Sequence, residues 1–190
     1  MNGKTWFRKI AGAVVLLFAA NAAQEAKAAT IWTGPLTNYT HANFSNPTLA
    51  INQDRLTSDI WLTRSSSQGL YNAFDEGSFS HFFSPQGTEW ATGFLTNYAS
   101  LSYTDWNSWA KGVNAGPLST VGVNAVLHLI PDDTYLSIKF TSWTSGGAGG
   151  GFSYTRSTMS VPEPASGLLL LTGLGFLVAK RRFLSGSKQG

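Results

Sequence analysis

A chain of 190 residues suits a single domain with appended segments, because one hydrophobic core is normally built from roughly 100 to 200 residues. Cysteine is absent, which excludes a disulfide framework, a thiolate zinc site and a cysteine nucleophile. The net charge of +3 does not indicate a nucleic-acid partner, since residues 30–160 carry five basic and eight acidic residues and the excess positive charge lies at the two ends.

The first 28 residues have the three parts of a secretory signal peptide. Three basic residues precede an apolar run over 10–20, and Ala-Lys-Ala at 26–28 gives the small-x-small pattern of a cleavage point. The alternative is an N-terminal membrane anchor, but this run falls well short of the ~20 residues that cross a bilayer. We expect signal peptidase to cut after Ala28 and residues 29–160 to form the exported domain.

Alternation of apolar and polar residues, which is typical of β-strands, recurs through the middle of the chain. Segments 59–64 and 89–94 are the first candidate strands. Segment 121–130 is apolar on both faces, as in a strand near the centre of a sheet. Pro-Asp-Asp at 131–133 then predicts a turn.

The segment 135–143 has the clearest strand pattern and would pair with 121–130 in the antiparallel sense. Its buried face would carry Leu136, Ile138 and Phe140, and its opposite face Tyr135, Ser137, Lys139, Thr141 and Trp143.

A glycine-rich stretch at 146–151 separates that strand from a further candidate strand at 152–156. Glycine clusters tolerate positive φ angles, so the stretch predicts a wide hairpin loop. A phosphate-binding loop would instead continue into a helix with a Lys-Ser or Lys-Thr pair, whereas Phe-Ser-Tyr follows here. Nucleotide binding is therefore not expected.

Residues 30–160 are rich in aromatic side chains, with six Trp, six Tyr and eight Phe. Each buried aromatic ring removes a large apolar area from water, which can stabilise a domain without disulfides. The patterns together predict an all-β fold: a single antiparallel β-sandwich of jelly-roll or lectin-like type over residues 29–160.

Five residues are candidates for binding a ligand at the surface. Tyr135, Lys139 and Trp143 share a predicted strand face, and Trp106 and Trp109 lie in the polar segment Trp-Asn-Ser-Trp. Exposed rings with polar neighbours suit sugar rings. The alternative is that these rings fill the core, where Trp and Tyr are also common.

The histidines and serines do not predict catalysis. His41, His81 and His128 are scattered without the spacing of metal ligands, and the sequence has no Gly-x-Ser-x-Gly elbow. His128 lies on a predicted strand, where a packed or hydrogen-bonded role is expected. We predict no enzyme activity, no cofactor and no resident metal.

Glycoside hydrolysis is the remaining enzymatic option, and it needs two carboxyl groups roughly 5 to 9 Å apart. The available carboxylates include Asp59, Asp75, Glu76, Glu89, Asp132 and Asp133. The two adjacent pairs would point apart in an extended chain, so the fold would have to bring Glu89 to Asp59 or Asp75. Asp132 and Asp133 could also contribute to a calcium site, although their place in a turn explains them equally well.

The last 30 residues form a second short apolar segment with distinct flanks. Residues 165–179 carry no charge and would make a helix of roughly 22 Å, against a hydrocarbon core of ~30 Å. The basic stop that follows, Lys180, Arg181 and Arg182, would stay on the cytoplasmic side. The prolines upstream keep the preceding chain extended.

Val161, Pro162, Glu163 and Pro164, followed by the apolar helix over 165–179 and the basic tail over 180–190, resemble the PEP-CTERM sorting signal of Gram-negative bacteria. The resemblance implies transit through the inner membrane, recognition by exosortase, removal of the tail and delivery to the outer surface or extracellular matrix, commonly beside exopolysaccharide. An ordinary single-pass anchor is the alternative.

A second resemblance covers most of residues 50–156, which are similar to a surface domain of exported bacterial proteins with the same tail. It rests on Gln-Asp-Arg-Leu-Thr at 53–57, Ile-Trp-Leu-Thr-Arg at 60–64, Gly-Leu-Tyr-Asn at 69–72, Gly-Thr-Glu-Trp at 87–90, Phe-Thr-Ser-Trp at 140–143 and Gly-Gly-Gly-Phe-Ser-Tyr-Thr-Arg at 149–156. This resemblance implies a shared fold and supplies no catalytic residues.

The sequence therefore predicts an exported, exosortase-sorted surface or matrix protein that is not an enzyme and associates with exopolysaccharide or biofilm. A carbohydrate-binding, lectin-like module is the alternative, and a glycoside hydrolase is the third option.

Overall fold

The computed structural model describes residues 28–145 and 147–160, except for the side chain of Val113. The predicted signal peptide, apart from Ala28, lies outside the described residues. The sorting motif, the apolar helix over 165–179 and the basic stop lie outside them as well. Within the described ranges, no helix combines the length and apolar character needed to cross a membrane.

Two β-sheets make up most of the regular structure in the described part of the chain. The larger sheet has the order β2-β9-β8-β7-β6, with β1 alongside β8, and the smaller has the order β3-β4-β5. The strands are β1 (Thr30–Trp32), β2 (Leu36–His41), β3 (Asp54–Arg55), β4 (Trp61–Arg64), β5 (Leu70–Asn72), β6 (Thr88–Thr92), β7 (Ala125–Leu129), β8 (Thr134–Trp143) and β9 (Phe152–Ser157). Strand pairings are antiparallel except between β1 and β8, so the prediction of a mostly β, antiparallel fold is confirmed.

The helical segments in the same ranges are short, as the lack of helical periodicity predicts. They are the 3₁₀-helices Ala50–Asn52, Leu95–Ser100 and Pro117–Thr120 and the π-helical turn Ser108–Val113. Asp105 supports the start of that turn, since its carboxylate accepts hydrogen bonds from the backbone N (2.9 Å) and Oγ (2.6 Å) of Ser108. Partial burial opposes ionisation of Asp105, but these hydrogen bonds hold its pKa below the usual value.

The predicted hairpin between 121–130 and 135–143 is present, with a shorter first strand. β7 begins only at Ala125, because a 3₁₀-helix precedes it and Gly122 adopts a left-handed φ of 84°. The turn at 131–133 joins β7 to β8, which pair antiparallel from Ala125 opposite Ile138 to Leu129 opposite Thr134.

A β-bulge in β8 overturns one part of the prediction, the placement of Trp143 on the outer face. Thr141 and Ser142 together lie opposite Ser153, and both hydroxyls hydrogen-bond to its Oγ, at 2.6 and 2.7 Å. The extra residue inverts the alternation, so Trp143 points to the same side as Phe140 and is buried.

One apolar cluster contains side chains from both sheets, including Leu62 of β4 and Leu127 of β7. Trp90 of β6 is at its aromatic centre. The Trp90 ring lies 4.9 Å from that of Trp106 and 5.5 Å from that of Trp109, measured between centroids. Close packing of large rings supplies the stabilisation that a cysteine-free domain requires.

A buried ion pair also ties the two sheets together. Asp54 of β3 accepts two hydrogen bonds from the guanidinium of Arg156 on β9, at 2.7 Å from Nε and 2.8 Å from Nη2. The Tyr154 hydroxyl donates a third, at 2.6 Å. Burial and the Asp54 carboxylate both raise the pKa of Tyr154, which keeps this hydroxyl a donor.

We predict that Asp54→Ala lowers the free energy of unfolding by about 3 kcal/mol, because it leaves a largely buried guanidinium and phenol without their acceptor. Asp75→Ala is the matched control, since Asp75 is exposed and its carboxylate has no described partner; it should change stability by less than about 0.5 kcal/mol. Urea unfolding followed by tryptophan fluorescence measures both. Equal effects of the two substitutions would contradict this role for Asp54.

His41 makes stability depend on pH. Its ring is buried and stacks on Phe152 at 5.2 Å, and its nitrogens have no hydrogen-bond partner among the described residues. Burial lowers the His41 pKa; the Ala42 backbone opposes this, and the Arg64 charge reinforces it. The unfolded chain then binds a proton below about pH 6.5 that the folded chain resists, so stability falls as the pH drops below that value.

We predict that His41→Phe, which preserves the stack, reduces the fall in melting temperature between pH 7 and pH 5. His81→Gln, at an exposed histidine, serves as the control and should retain the wild-type fall. Thermal unfolding at the two pH values measures the difference, and an unchanged pH dependence in His41→Phe would rule out His41 as its source.

Candidate functional site

A cavity of about 450 Å³ lies where the β4–β5 loop, the segment 106–118 and the β8–β9 loop meet. We call it the Arg64 pocket. Its lining comprises Arg64, Ser67, Gln68, Gly69, Phe79, His81, Trp106, Asn107, Ala110, Lys111, Pro117, Leu118, Trp143, Ser145 and Gly147. The volume falls in the range of small-ligand sites, and the mixture of aromatic and polar groups is typical of them.

Arg64, the last residue of β4, is the central side chain of this pocket. Only 2% of it is exposed, and its Cζ lies 3.9 Å from the centroid of the Trp143 ring. Nε donates to the Gln68 carbonyl at 2.8 Å, and Nη1 donates to the carbonyls of Thr144 at 2.9 Å and Gly151 at 3.3 Å. The guanidinium thus joins the β4–β5 hairpin to the β8–β9 hairpin.

This guanidinium has no carboxylate partner within residues 28–145 and 147–160. Burial lowers the pKa of Arg64 to about 10, so the side chain remains cationic at neutral pH. Its hydrogen bonds to described residues use Nε and Nη1, which leaves the two N–H groups of Nη2 without a described acceptor. Buried arginines are normally paired, so the pocket contains an unbalanced positive charge.

The glycine-rich loop explains how Arg64 reaches these carbonyls. Gly150 has a φ of 72°, and a Cβ there would approach the Ser65 carbonyl oxygen to 1.8 Å. Its neighbour Gly151 donates its N–H to the side-chain oxygen of Asn43 at 2.9 Å. Only glycine permits this close backbone approach, so the loop predicted at 146–151 holds the pocket wall in place.

Two of the candidate ligand-binding residues, Trp106 and Trp143, form the inner wall of the Arg64 pocket. They are 2% and 8% exposed, and their ring centroids lie 5.5 Å apart. Both rings belong to the core cluster and also line the cavity. They contribute an apolar wall, which differs from the open surface platform that the sequence predicted.

Asn107 adds unused hydrogen-bonding capacity to the same wall. It is nine-tenths buried, and its Oδ1 has no partner among the described residues. Buried amides are nearly always hydrogen-bonded, so a lining residue whose amide oxygen has no described partner is unusual. Rotation of the amide exchanges its oxygen and nitrogen, which lets Asn107 offer a donor or an acceptor.

The rim of the pocket is both basic and apolar. Lys111 and His81 are exposed there, and Phe79 and Leu118 provide apolar surface beside them. No Asp or Glu is found among the described lining residues. The local charge is therefore positive, although residues 30–160 as a whole carry an excess of acidic side chains.

The other three candidates, Trp109, Tyr135 and Lys139, are not among the lining residues of this pocket. The prediction that Tyr135, Lys139 and Trp143 share an exposed face is wrong. Trp109 is buried in the core and donates from Nε1 to Thr92 Oγ1 at 3.1 Å. Lys139 lines a separate cavity of about 260 Å³. The bulge in β8 separates Trp143 from the outer face on which Lys139 and the half-buried Tyr135 remain.

Tyr135 instead belongs to a cluster around His128. The two rings are parallel within 2° and lie 4.1 Å apart. His128 contacts Asp133 through Nε2 at 3.2 Å and Glu89, its cross-strand neighbour, through Nδ1 at 3.5 Å. The prediction that His128 is a packed or hydrogen-bonded residue is confirmed.

Two of the carboxylates considered for glycoside hydrolysis, Glu76 and Glu89, have structural contacts. Glu76 accepts backbone N–H groups from Asn72 at 2.7 Å and Gln86 at 2.9 Å and is also hydrogen-bonded by Ser84. Glu89 contacts His128, while Asp75 is exposed. In the described ranges, no group of three or more His, Asp or Glu side chains is arranged to hold a metal ion.

Sequence reasoning missed Arg64, Asn107 and Lys111 as site residues. Arg64 lies within a predicted strand, but its acceptors at Thr144 and Gly151 are 80 and 87 residues away along the chain. Periodicity reports only on neighbours along the strand. One available signal was the spacing of Asn107, which lies between Trp106 and Trp109, and Lys111, which follows Trp109. These two residues are four apart, as on one face of a helical turn.

Comparison with known proteins adds no relative from which a function could be transferred. No protein-family model, curated protein or solved structure matches this chain. Function must therefore be inferred from the pocket itself, which combines a buried guanidinium without a carboxylate partner among the described residues, two indole rings and an amide oxygen without a described partner.

Proposed function

We propose that the chain is an exported, exosortase-sorted cell-surface or extracellular-matrix protein that is not an enzyme and binds extracellular polysaccharide. The observation that carries the binding role is the Arg64 pocket. Its apolar wall, from Trp106 and Trp143, suits the flat face of a sugar ring, and Asn107 and Gln68 offer polar groups to hydroxyls. This proposal moves the lectin-like role from an exposed strand face to a cavity.

The architecture we propose is a jelly-roll or lectin-like β-sandwich formed by the two sheets over residues 29–160. Two observations support it. Both sheets contribute side chains to the apolar cluster, and the ion pair between Asp54 and Arg156 joins one sheet to the other. Two sheets that bury their facing side chains against each other leave their connecting loops at the ends, where binding residues commonly lie. The Arg64 pocket is built from such loops.

Binding is favoured over catalysis by the charge of the pocket. Glycoside hydrolysis uses a pair of carboxyl groups, and the described lining residues provide none. Three hydrogen bonds fix the position of the Arg64 guanidinium, so it can act as a rigid recognition group. The pocket therefore has the features of a site that holds a ligand without transforming it.

Export rests on the two ends of the chain. The first 28 residues have the features of a signal peptide, and Val161-Pro162-Glu163-Pro164 with its apolar and basic continuation resembles a PEP-CTERM signal. Signal peptidase and exosortase would then be the processing partners, and the protein would reside in the inner membrane only transiently. The final location would be the outer surface or matrix of a Gram-negative bacterium.

We predict that Leu118→Trp weakens polysaccharide binding by about tenfold, because the larger ring narrows the pocket at an exposed position that the fold tolerates. Leu49→Trp is the matched control, since Leu49 is also exposed and lies outside the pocket lining; it should bind as wild type. Glycan-array screening followed by calorimetry measures this. Equal binding by the two variants would show that the pocket is not the site.

We predict that the protein recovered outside a Gram-negative host with exosortase begins at Ala29 and lacks residues 180–190. Intact-mass spectrometry reads both ends at once. Glu163→Ala should abolish removal of the tail, whereas Glu25→Ala, in the predicted signal peptide, should not. Recovery of the basic tail on the wild-type extracellular product would contradict exosortase sorting.

A further inference from the structure

The Arg64 pocket also specifies the charge of its ligand. Within the proposed function of polysaccharide binding, we propose that the sugar bound there is anionic and that its carboxylate or sulfate group pairs with the free Nη2 of Arg64. Both groups offer a negatively charged oxygen to an N–H donor, which is the shared chemistry that the pocket recognises.

The buried Arg64 and the partly buried Arg156 differ in how their charges are balanced. Arg156 is balanced by a two-point ion pair with Asp54. Arg64 is more deeply buried, and among the described residues its charge is met by three backbone carbonyls and the Trp143 ring but by no carboxylate. Removing a cation from water is costly unless a counter-charge is present, so Arg64 has the larger unmet requirement for an anion.

The cation that lacks a counter-charge is also one of the residues that line the cavity. Arg64 lines the pocket, and Nη2 is the one nitrogen of its guanidinium without a hydrogen bond to a described residue. Packing against Trp143 and the bonds through Nε and Nη1 fix the plane of the guanidinium. An anionic group that enters the pocket therefore meets an oriented donor that needs no reorganisation.

The charge around the pocket also favours an anion. Lys111 adds a second cation at the rim, while the described lining residues contain no acid. Residues 30–160 carry a net negative charge, whereas this cavity contains two cations and no acid among its described lining residues. The local charge of the pocket is therefore opposite in sign to the net charge of the domain. A neutral sugar would use the indole wall and Asn107 but would gain less than an anionic one from the cations of Arg64 and Lys111.

The test is a calorimetric titration of the full chain, purified in detergent, with three oligosaccharides of equal length: one uronic-acid polymer, one sulfated and one uncharged. We expect at least one charged oligosaccharide to bind about tenfold or more tighter than the uncharged one. Its affinity should fall when the salt concentration is raised from 0.05 to 0.5 M, because rim charges are screened. The preference between the uronate and the sulfated form identifies which anion the pocket takes.

Two surface variants test whether the preference for a charged oligosaccharide arises in the pocket, and neither alters the core. Lys111→Gln should weaken binding of the charged oligosaccharide by about two- to fivefold, as for loss of an exposed ion pair, and should weaken binding of the uncharged one by less. Lys139→Gln removes the same charge from the separate cavity on the outer face of the sheet and should bind as wild type.

The outcomes separate this inference from the proposed function. Equal affinity for charged and uncharged oligosaccharides would overturn the anionic preference and leave polysaccharide binding intact. Failure of all three to bind would overturn both. Equal weakening by Lys111→Gln and Lys139→Gln would show that the charge effect is general and does not arise in the Arg64 pocket.

Discussion

The buried guanidinium of Arg64 is the interaction on which the candidate site depends. It packs against the Trp143 ring and donates to carbonyls of the two loops that form the pocket wall. The carbonyls fix the orientation of the guanidinium, and the guanidinium fixes the positions of the two loops. The conformation of each therefore depends on the other. The close approach of Gly150 to Ser65 completes the arrangement, because any side chain at Gly150 would push the β8–β9 loop away from Arg64. Binding geometry and local fold are therefore the same set of contacts.

The regular parts of the fold were predictable because they follow from alternation along the chain. β7, β8 and β9 overlap the predicted segments, and the Pro-Asp-Asp turn joins the first two as expected. The failure at Trp143 has a specific origin. The alternation rule assumes that each residue of one strand faces one residue of the next. The bulge adds an extra residue to β8, because Thr141 and Ser142 both face Ser153. Nothing local distinguishes these hydroxyl-bearing residues from an ordinary exposed strand end, so the inversion of faces was not visible in the sequence.

The tryptophans at 106 and 109 illustrate a different limit. Their polar neighbours, Asn107 and Ser108, favoured an exposed position for both rings. In the helical turn that forms, residues three apart share a face, and both indoles turn towards Trp90. The alternative stated for these rings, that they fill the core, is therefore the one observed. Arg64 was harder still to identify, because its burial arises from contacts with Thr144 and Gly151, far away in the sequence.

Stability and recognition are coupled at this pocket through one charge. A cation that lacks a counter-charge lowers the stability of the fold, whereas an anion bound beside it supplies the missing interaction in the folded state only. For Arg156 the counter-charge is the Asp54 carboxylate of the same chain, so this guanidinium does not need an anion from outside. Arg64 is supported by carbonyls, which stabilise it enough to keep it buried and cationic but do not neutralise it. The difference between the two arginines is the physical reason that one is part of the scaffold and the other is available to a ligand.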